Sequence, residues 1–180
     1  MSEEIQTLAS KVIYENKWMR LREDKIRRSS GNEGIYGVVE KPDFVVILPV
    51  HDGYVHLVEQ YRYPIKQRCW ELPQGAWEQN PEADHALLAA GELREETGLV
   101  ASNMQYLGEQ YLAYGFCDQK YHIYFATGLT FTEINLDVEE EGLITQKVTL
   151  ESFEKMILSG EIRDASTVNA YGLAKLKGVL

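Results

Sequence analysis

Residues Gly75 to Leu99 read GAWEQNPEADHALLAAGELREETGL, and this stretch decides the fold. Its composition predicts one long helix over residues 81–97, preceded by a loop. Asn80 is suited to cap that helix, Pro81 to occupy its first position, and Gly98 to end it. The middle of the chain is therefore a loop followed by a helix with a sharp stop.

Side chains of this helix fall on two faces at about 100° per residue. The face predicted to meet the core carries small and apolar side chains, namely Ala86, Ala89, Ala90, Leu93 and Thr97. Glu92, Glu95 and Glu96 form an acidic stripe along its edge, since spacings of three and four residues bring side chains together. The sequence therefore places three carboxylates near one point.

This acidic stripe fits poorly with a solvated surface, the ordinary meaning of clustered Glu. Like charges four residues apart cost about 0.2–0.5 kcal/mol. Carboxylates in the last turns also oppose the helix dipole, at about 0.3–1 kcal/mol each. A divalent cation removes both costs, and Mg²⁺ prefers oxygen ligands from carboxylates, waters and phosphates. We therefore predict a site for Mg²⁺ or Mn²⁺.

Composition and charge narrow the class of protein. The 180 residues are 44% hydrophobic and 26% charged, which indicates a folded globular chain. The formal net charge of −10 disfavours nucleic acid and anionic membrane as partners, because both need a cationic surface. The longest apolar run, Phe44 to Val50, is too short to cross a bilayer. With no secretory signal, and with Cys69 and Cys117 in no zinc or disulfide pattern, we expect a cytoplasmic protein.

Strand-like segments lie on both sides of the central helix. The predicted strands are Lys11–Tyr14, Trp18–Asp24, Ile35–Glu40, Phe44–Val50, Tyr54–Tyr61, Trp70–Leu72, Met104–Leu112, Tyr121–Ala126 and Ile144–Leu150. Two further helices are predicted at Ser152–Leu158 and Ser166–Lys177, and Asp52-Gly53 is a strong hairpin signal. This order predicts an α+β fold with a mixed sheet rather than a regular alternation of strands and helices.

The central stretch resembles the Nudix box, G-x5-E-x7-R-E-U-x-E-E-x-G-U, where U is aliphatic. Its second half is present as Glu92-Leu93-Arg94-Glu95-Glu96-Thr97-Gly98-Leu99. Further segments resemble the ADP-ribose/ADP-sugar pyrophosphatase branch of that family, namely Val58–Pro64, Trp70–Gly75, Gly115–Asp118 with His122 and Phe125-Ala126, and Gly160–Asp164. The resemblance covers roughly residues 10–175.

The resemblance implies a Nudix fold, with a mixed sheet sandwiched between helices, and metal-dependent hydrolysis of a nucleoside diphosphate linked to a second group. It implies that Glu92, Glu95 and Glu96 bind the metal, with the carbonyl of Gln74 as a further ligand. The general base in this branch comes from an acidic loop, here residues 137–141. The catalytic residues implied are Glu140 first, then Glu141, together with Glu95.

Substrate contacts are implied in the same way. Arg62, in the motif Glu-Gln-Tyr-Arg, is expected to bind the diphosphate, and Glu71 is expected beside the substrate. Stacking on the base is expected from Trp18, Tyr114 and Phe116. The expected substrate is ADP-ribose or an ADP-sugar, whereas Tyr114, where the ADP-ribose group carries Pro, keeps a dinucleoside polyphosphate hydrolase as an alternative.

The box departs from the family pattern at two points. Gly91 stands where the family has an Arg that pairs with a box Glu. From Gly75 to Glu92 is 92 − 75 = 17 positions, about two more than the pattern allows, so the middle Glu stays open between Glu78 and Glu82. A catalytically weak nucleotide-binding or sensor module is therefore a second alternative.

Residues 1–42 precede the minimal Nudix domain at 43–180 and are predicted to form an antiparallel β extension. In the ADP-sugar branch such an extension pairs or swaps between subunits, and a small sheet with open edges fits that arrangement, so a homodimer is expected. The four histidines, His51, His56, His85 and His122, show no metal-ligand spacing and are interpreted as structural.

Overall fold

The computed structural model describes residues 4–77, 80, 83–133 and 141–180. The strands within these ranges are β1 Ile5–Glu15, β2 Arg20–Arg28, β3 Glu33–Glu40, β4 Phe44–His51, β5 Tyr54–Arg62, β6 Gln67–Glu71, β7 Gln74–Gly75, β8 Leu99–Tyr111, β9 Lys120–Phe131 and β10 Ile144–Thr149. The helices are α1 His85–Thr97, α2 Leu150–Ser159 and α3 Ala165–Leu176.

The strands form two sheets. β1, β2 and β3 make a small antiparallel sheet in that order. The larger sheet has the order β10-β5-β4-β9-β8, with β6 paired to β5 and β7 paired to β4. The central pair β4–β9 is parallel, whereas β5 pairs antiparallel with both β4 and β10. The predicted α+β class, the mixed sheet and the N-terminal antiparallel extension are confirmed.

Helices cover both faces of the larger sheet. Alternate side chains of a strand point to opposite faces, and along β4 Val45 and Ile47 pack with α1 residues such as Leu93. Val46 and Leu48 pack on the other face. The apolar side chains that complete that second layer come from α2 and α3, namely Phe153, Ala170, Tyr171 and Ala174. This arrangement confirms the predicted sandwich.

Two predicted turns are present at the expected residues. Asp52 and Gly53 both have positive φ, at 49° and 77°, and they join β4 to β5 in a tight hairpin. Gly98 has φ 70° and ends α1, and its N–H donates to the Arg94 carbonyl at 2.8 Å. Left-handed backbone of this kind favours glycine.

The start of α1 differs from the predicted one. Asp84 caps the helix, since its side chain accepts from the backbone N–H groups of Ala86 and Leu87. Asn80 instead forms a turn in which its carbonyl accepts from the Ala83 N–H at 3.0 Å. The prediction of a cap at Asn80 was wrong. Asn80 and Asp84 are both good capping residues, and Asp84, which is closer to the first buried residues of the helix, is the one that caps it.

The buried face of α1 also differs from the predicted stripe. The buried residues are Leu88, Ala89, Glu92, Leu93, Glu96 and Thr97. Ala86 and Ala90, which were predicted to face the core, are exposed. The observed face repeats every three to four residues from Leu88, but it includes two carboxylates. A prediction from apolar residues alone therefore places the buried face too far around the helix, away from Glu92 and Glu96.

Gly91 lies under the indole ring of Trp77. A Cβ added at Gly91 would lie 2.6 Å from Cζ2 of that ring, which is closer than packed atoms approach. Trp77 itself packs against the apolar layer beneath α1. The glycine, which costs about 1 kcal/mol in a helix relative to Ala, therefore provides the space for an aromatic side chain from the preceding loop.

We predict opposite effects for the same substitution at two helical glycines. Gly91→Ala should lower the melting temperature, because the overpacking cost of about 1–3 kcal/mol exceeds the gain in helix propensity. Gly172→Ala in α3, where an added Cβ meets nothing within 4 Å, should raise stability by up to about 1 kcal/mol. Thermal and urea unfolding measure both. Equal stabilisation by the two variants would contradict the packing of Trp77 on Gly91.

The small sheet joins the rest of the chain at the end of β3. The Val39 N–H donates to the Phe116 carbonyl at 2.8 Å, and the Asp118 N–H donates to the Val39 carbonyl at 3.2 Å. The division into residues 1–42 and 43–180 stays a prediction. Among the helices within the described residues, each is too short or too polar to span a membrane. The cytoplasmic location stays a prediction.

Candidate active site

The carboxylates of α1 face the short strand β7. The Gln74 N–H donates to Glu96 Oε2 at 3.0 Å, and Gly75 lies so close to Glu92 that an added Cβ would be 2.4 Å from its carboxylate oxygen. Glu92 and Glu96 are 5% and 1% exposed, and Glu95 beside them is half-buried. A side chain at position 75 would therefore require the Glu92 carboxylate to move away from the strand.

These three residues and the Gln74 backbone fit a divalent cation. A buried carboxylate is costly unless it is hydrogen-bonded, paired or bound to a metal. Several carboxylates on one short segment add repulsion, which a hard cation with oxygen ligands offsets. Of the predicted ligands, Glu92 and Glu96 are brought to the Gln74–Gly75 strand, and their oxygens are of the type that Mg²⁺ and Mn²⁺ prefer. The metal-binding roles of Glu92, Glu95, Glu96 and the Gln74 carbonyl stay predictions.

An ion pair lies next to these carboxylates. Arg62 at the end of β5 contacts Glu71 at the end of β6 through Nη2 and Oε1 at 2.7 Å and through Nε and Oε2 at 3.3 Å. Gln74 Nε2 donates to the same Glu71 carboxylate at 2.7 Å. Glu71 is 2% exposed, so Arg62 and Gln74 compensate an almost fully buried charge.

Burial and the neighbouring charges have opposite effects on the pKa values of this pair. Burial raises the pKa of Glu71 above its ordinary value, although Arg62 and the Gln74 amide act in the opposite direction. For Arg62, burial by itself would lower the pKa, but the carboxylates of Glu71, Glu96 and Asp164 raise it above its ordinary value. The Arg62 cation is thus held by three surrounding anions.

The N-terminus of α3 supports the Gln74 side chain. Ser166 Oγ lies 2.7 Å from Gln74 Oε1 and 2.5 Å from Asp164 Oδ2. Asp164 caps α3, because its side chain accepts from the Thr167 N–H at 2.8 Å. Asp164 and Ser166 were not among the predicted site residues. A capping residue directly before a helical run is the signal that would have pointed to Asp164.

A cleft of about 700 Å³ opens beside this network. Arg62, Glu71, Gln74 and Gly75 line it. The other lining residues include two further cations and several apolar side chains, namely Lys41, Arg163, Phe44, Pro64, Ile65 and Leu112. Its size is that of a small-molecule site. Cations next to a carboxylate cluster suit a ligand that carries both phosphate groups and a bound metal ion.

The predicted stacking residues do not line this cleft. Tyr114, which is 83% exposed, and Phe116 and Trp18, which are also exposed, are not among the residues that line the cleft. Glu141 is exposed in the turn before β10. Glu140 lies outside the described residues, as do Glu78 and Glu82. The roles predicted for these residues stay predictions.

Comparison with known proteins identifies the family. The protein-family model for the NUDIX domain matches residues 41–169. A second family model, for the nucleoside diphosphate sugar hydrolase N-terminal domain, matches residues 5–39. The chain belongs to the Nudix family. It is a Nudix hydrolase, and enzymes of this family depend on a metal ion. The Nudix box lies on β7, the loop after it and α1, where the structure places the buried carboxylates.

Relatives of this Nudix protein include ADP-ribose pyrophosphatases. The one from Bacillus subtilis (strain 168) is 30% identical over 98% of this chain and 96% of its own length. The one from Mycobacterium tuberculosis (strain ATCC 25618 / H37Rv) is 39% identical over 70% of this chain and 61% of its own length. A crystal structure of an ADP compounds hydrolase matches with a TM-score of 0.85 and 20% identity, covering 98% of this chain and 96% of that one. At that identity it confirms the fold alone.

The Arg62–Glu71 pair allows a prediction about pH. Arg62→Leu leaves the Glu71 carboxylate buried without its cation. The expected loss in free energy of unfolding at neutral pH exceeds the ~1 kcal/mol of an exposed pair and approaches about 3–5 kcal/mol. The folded variant then holds the Glu71 proton more tightly than the unfolded chain does. The free energy of unfolding therefore falls as pH rises from the pKa of Glu71 in the unfolded chain through its higher pKa in the folded variant. Mild acidification partly restores it.

Urea unfolding of the wild type and of Arg62→Leu at neutral and mildly acidic pH measures this difference. In the double variant Arg62→Leu/Glu71→Gln, which has no titrating group at position 71, the difference from the wild type should not shrink on acidification. If Arg62→Leu loses the same free energy of unfolding at both pH values, the loss does not come from the unpaired Glu71 carboxylate, which would contradict the prediction.

Proposed function

We propose that this Nudix hydrolase cleaves the pyrophosphate bond of a nucleoside diphosphate linked to another group, with ADP-ribose or an ADP-sugar as substrate. The observation that carries the proposal is the junction of β7 and α1. There, the carboxylates of Glu92 and Glu96 approach Gln74 and Gly75, and these two residues line a cleft that also contains Lys41, Arg62 and Arg163. The names of the relatives support an ADP-linked substrate.

Glu92, Glu95 and Glu96, with the Gln74 carbonyl, would hold Mg²⁺ or Mn²⁺. When bound, the ion would neutralise part of the diphosphate charge and lower the pKa of the attacking water. The substrate and this chain are both anionic, since the chain has a net charge of −10. The carboxylates alone would therefore repel the substrate.

The side chains of the cleft would bind and orient the substrate. Arg163 is held by the amide oxygen of Gln67, a neutral partner that leaves its charge available to a phosphate. Arg62 shares its charge with Glu71, so its contribution to phosphate binding is smaller than a lone Arg would make. Phe44 and Ile65 provide apolar surface for the nucleoside or the sugar.

Hydrolysis requires a base that accepts a proton from the attacking water. Glu140, Glu141 and Glu95 are the proposed residues. The water oxygen forms a new bond to one phosphorus, and the bridging P–O bond breaks. From ADP-ribose this gives AMP and ribose 5-phosphate. The residues proposed to stack on the nucleobase of the substrate are Trp18, Tyr114 and Phe116. Within one chain they do not line the cleft.

The first test is a substrate panel in Mg²⁺ or Mn²⁺, with released AMP as the readout. ADP-ribose and ADP-sugars should be cleaved faster than dinucleoside polyphosphates and NADH. Glu96→Gln should lower kcat by about a hundredfold or more, on the scale of losing one group that stabilises transition-state charge. It should also weaken Mn²⁺ binding, which electron paramagnetic resonance measures directly.

The matched control is Glu151→Gln, which removes the same charge from an exposed position on α2. It should leave both turnover and Mn²⁺ binding unchanged. Wild-type turnover by Glu96→Gln would refute the assignment of Glu96. Preferred cleavage of a dinucleoside polyphosphate would favour that alternative. Nucleotide binding in calorimetry without turnover of any compound would favour a sensor module.

The N-terminal sheet supports a homodimer. Every residue of β1 is exposed, and the sheet carries many exposed apolar side chains, namely Ile5, Leu8, Val12, Ile13, Tyr14, Ile35 and Tyr36. Such a surface in water indicates a partner. The occupant that we propose is the same sheet of a second copy, because the edge of β1 can extend pairing between chains.

Charged substitutions on this sheet test the dimer. Val12→Lys and Ile35→Lys should shift the protein toward the monomer in light scattering after size exclusion, because each places a cation in the proposed interface. Leu158→Lys on α2, where the side chain is more exposed than those of Val12 and Ile35, is the control and should leave the mass unchanged. A wild-type protein that is monomeric at micromolar concentration would contradict the proposal.

A further inference from the structure

Three potential metal ligands converge at the N-terminal end of α1. Asp43 precedes β4, His85 is the first residue of α1, and His122 lies on β9. Each offers one ligand atom, and these three atoms lie within 4.8 Å of one another. His85 is seven residues before Glu92, which at 1.5 Å per residue separates this cluster from the Nudix carboxylates by about 10 Å.

The ring of His122 is oriented toward this cluster. The residue is 5% exposed, and within the described part of the chain its Nε2 has no hydrogen-bond partner. Asp43 Oδ2 lies 3.6 Å from Nε2, which is too long for a hydrogen bond. A buried polar nitrogen without a partner is costly. A cation between Nε2 and the Asp43 oxygen would supply the missing interaction.

The opposite side of the same ring is already supported. His122 Nδ1 lies 3.3 Å from the Tyr106 hydroxyl and 3.9 Å from a Glu109 oxygen. A histidine that binds a metal through one nitrogen ordinarily has a hydrogen-bonding or acidic partner at the other. Asp43 is supported in the same way, because its Oδ1 accepts from the Lys120 N–H at 2.9 Å, which leaves Oδ2 directed at the histidine.

We propose that Asp43, His85 and His122 form a site for a first-row transition metal of the Zn²⁺ class. Two imidazoles and one carboxylate match a zinc site with three protein ligands and a water. Nitrogen ligands also separate this site from the all-oxygen Nudix site, which favours Mg²⁺. The ion would link the start of α1 to β9 and to the segment before β4, and so fix the helix that carries the Nudix carboxylates.

One ring must move to form this ligand set. Burial and the adjacent His85 lower the pKa of His122, whereas Asp43 and Glu109 act in the opposite direction. The His85 and His122 rings are stacked with centroids 3.5 Å apart. Because two imidazoles on one ion direct their nitrogens at it, the half-buried His85 must rotate out of the stack on binding. The carboxylate of Asp43 offsets the positive end of the helix dipole.

Cobalt absorption tests the site without reference to turnover. Untagged full-length protein is stripped with a chelator and titrated with Co²⁺ in millimolar Mg²⁺, which occupies the oxygen site. Four-coordinate Co²⁺ with nitrogen ligands absorbs strongly in the visible range, whereas six-coordinate Co²⁺ with oxygen ligands absorbs weakly. We expect saturation near one equivalent and loss of the bands when Zn²⁺ is added.

The variants separate the two sites. His85→Asn and His122→Gln should each weaken Co²⁺ binding by at least about tenfold, and Tyr106→Phe should weaken it less, as a supporting partner does. His51→Asn, which changes an exposed histidine at the end of β4, and the double variant Glu92→Gln/Glu96→Gln should retain the bands. Circular dichroism in chelator checks that each variant folds.

Several results would overturn the site. These are a wild type without visible bands, bands that persist in both His85→Asn and His122→Gln, and bands that disappear in Glu92→Gln/Glu96→Gln. Zn²⁺ should also raise the melting temperature of the wild type but not that of the folded His85→Asn variant, because only the protein with the intact site gains binding free energy. An equal shift in both would likewise contradict the proposal.

Discussion

The structure depends on the burial of two anionic side chains of α1 against β7. Glu92 and Glu96 lie on the face of the helix that also carries Leu93, so the helix cannot pack on the sheet without taking their charges out of water. Burial of charge is among the largest unfavourable terms in folding. A glycine at position 75 leaves room for the Glu92 carboxylate, and the Gln74 N–H donates to Glu96. The proposed divalent cation would offset the remaining charge.

The same constraint explains why residues from both helical layers meet at one cleft. Gln74 is bonded to Glu96 of α1 through its backbone, to Glu71 of β6 through its amide nitrogen, and to Ser166 of α3 through its amide oxygen. One residue of a two-residue strand therefore connects the helices on the two faces of the sheet. Polar groups joined in this way position one another more precisely than isolated pairs do, which is what a site for a charged substrate needs.

Local signals in the sequence predicted the parts of the fold that neighbouring residues determine. Asp52-Gly53 requires left-handed backbone at both positions, and Gly98 ends a helix for the same reason. The three glutamates of α1 were also evident, because their mutual repulsion needs an explanation within four residues of sequence. The buried face of α1 was predicted in part. Ala89, Leu93 and Thr97 are buried as expected, but Ala86 and Ala90 are exposed, since apolar periodicity cannot represent a helix face on which carboxylates are buried.

Contacts between distant segments could not be read in advance. Asp43, His85 and His122 are separated by about forty residues at each step, and no spacing rule connects them. The packing of Trp77 on Gly91 is a similar case, because the two residues are fourteen positions apart in the sequence and no local pattern connects them. Sequence alone showed only that a glycine stood at an unfavourable place in a helix.

The two ends of α1 thus meet the rest of the protein through different chemistry. Its C-terminal half presents carboxylate oxygens to β7, and its first residue presents an imidazole to β9 and to Asp43. Trp77 covers the middle at Gly91. A helix of 13 residues is too short to keep its position by intrinsic helix stability. Contacts at both ends and at the centre are therefore what holds the Nudix carboxylates in register with the cleft.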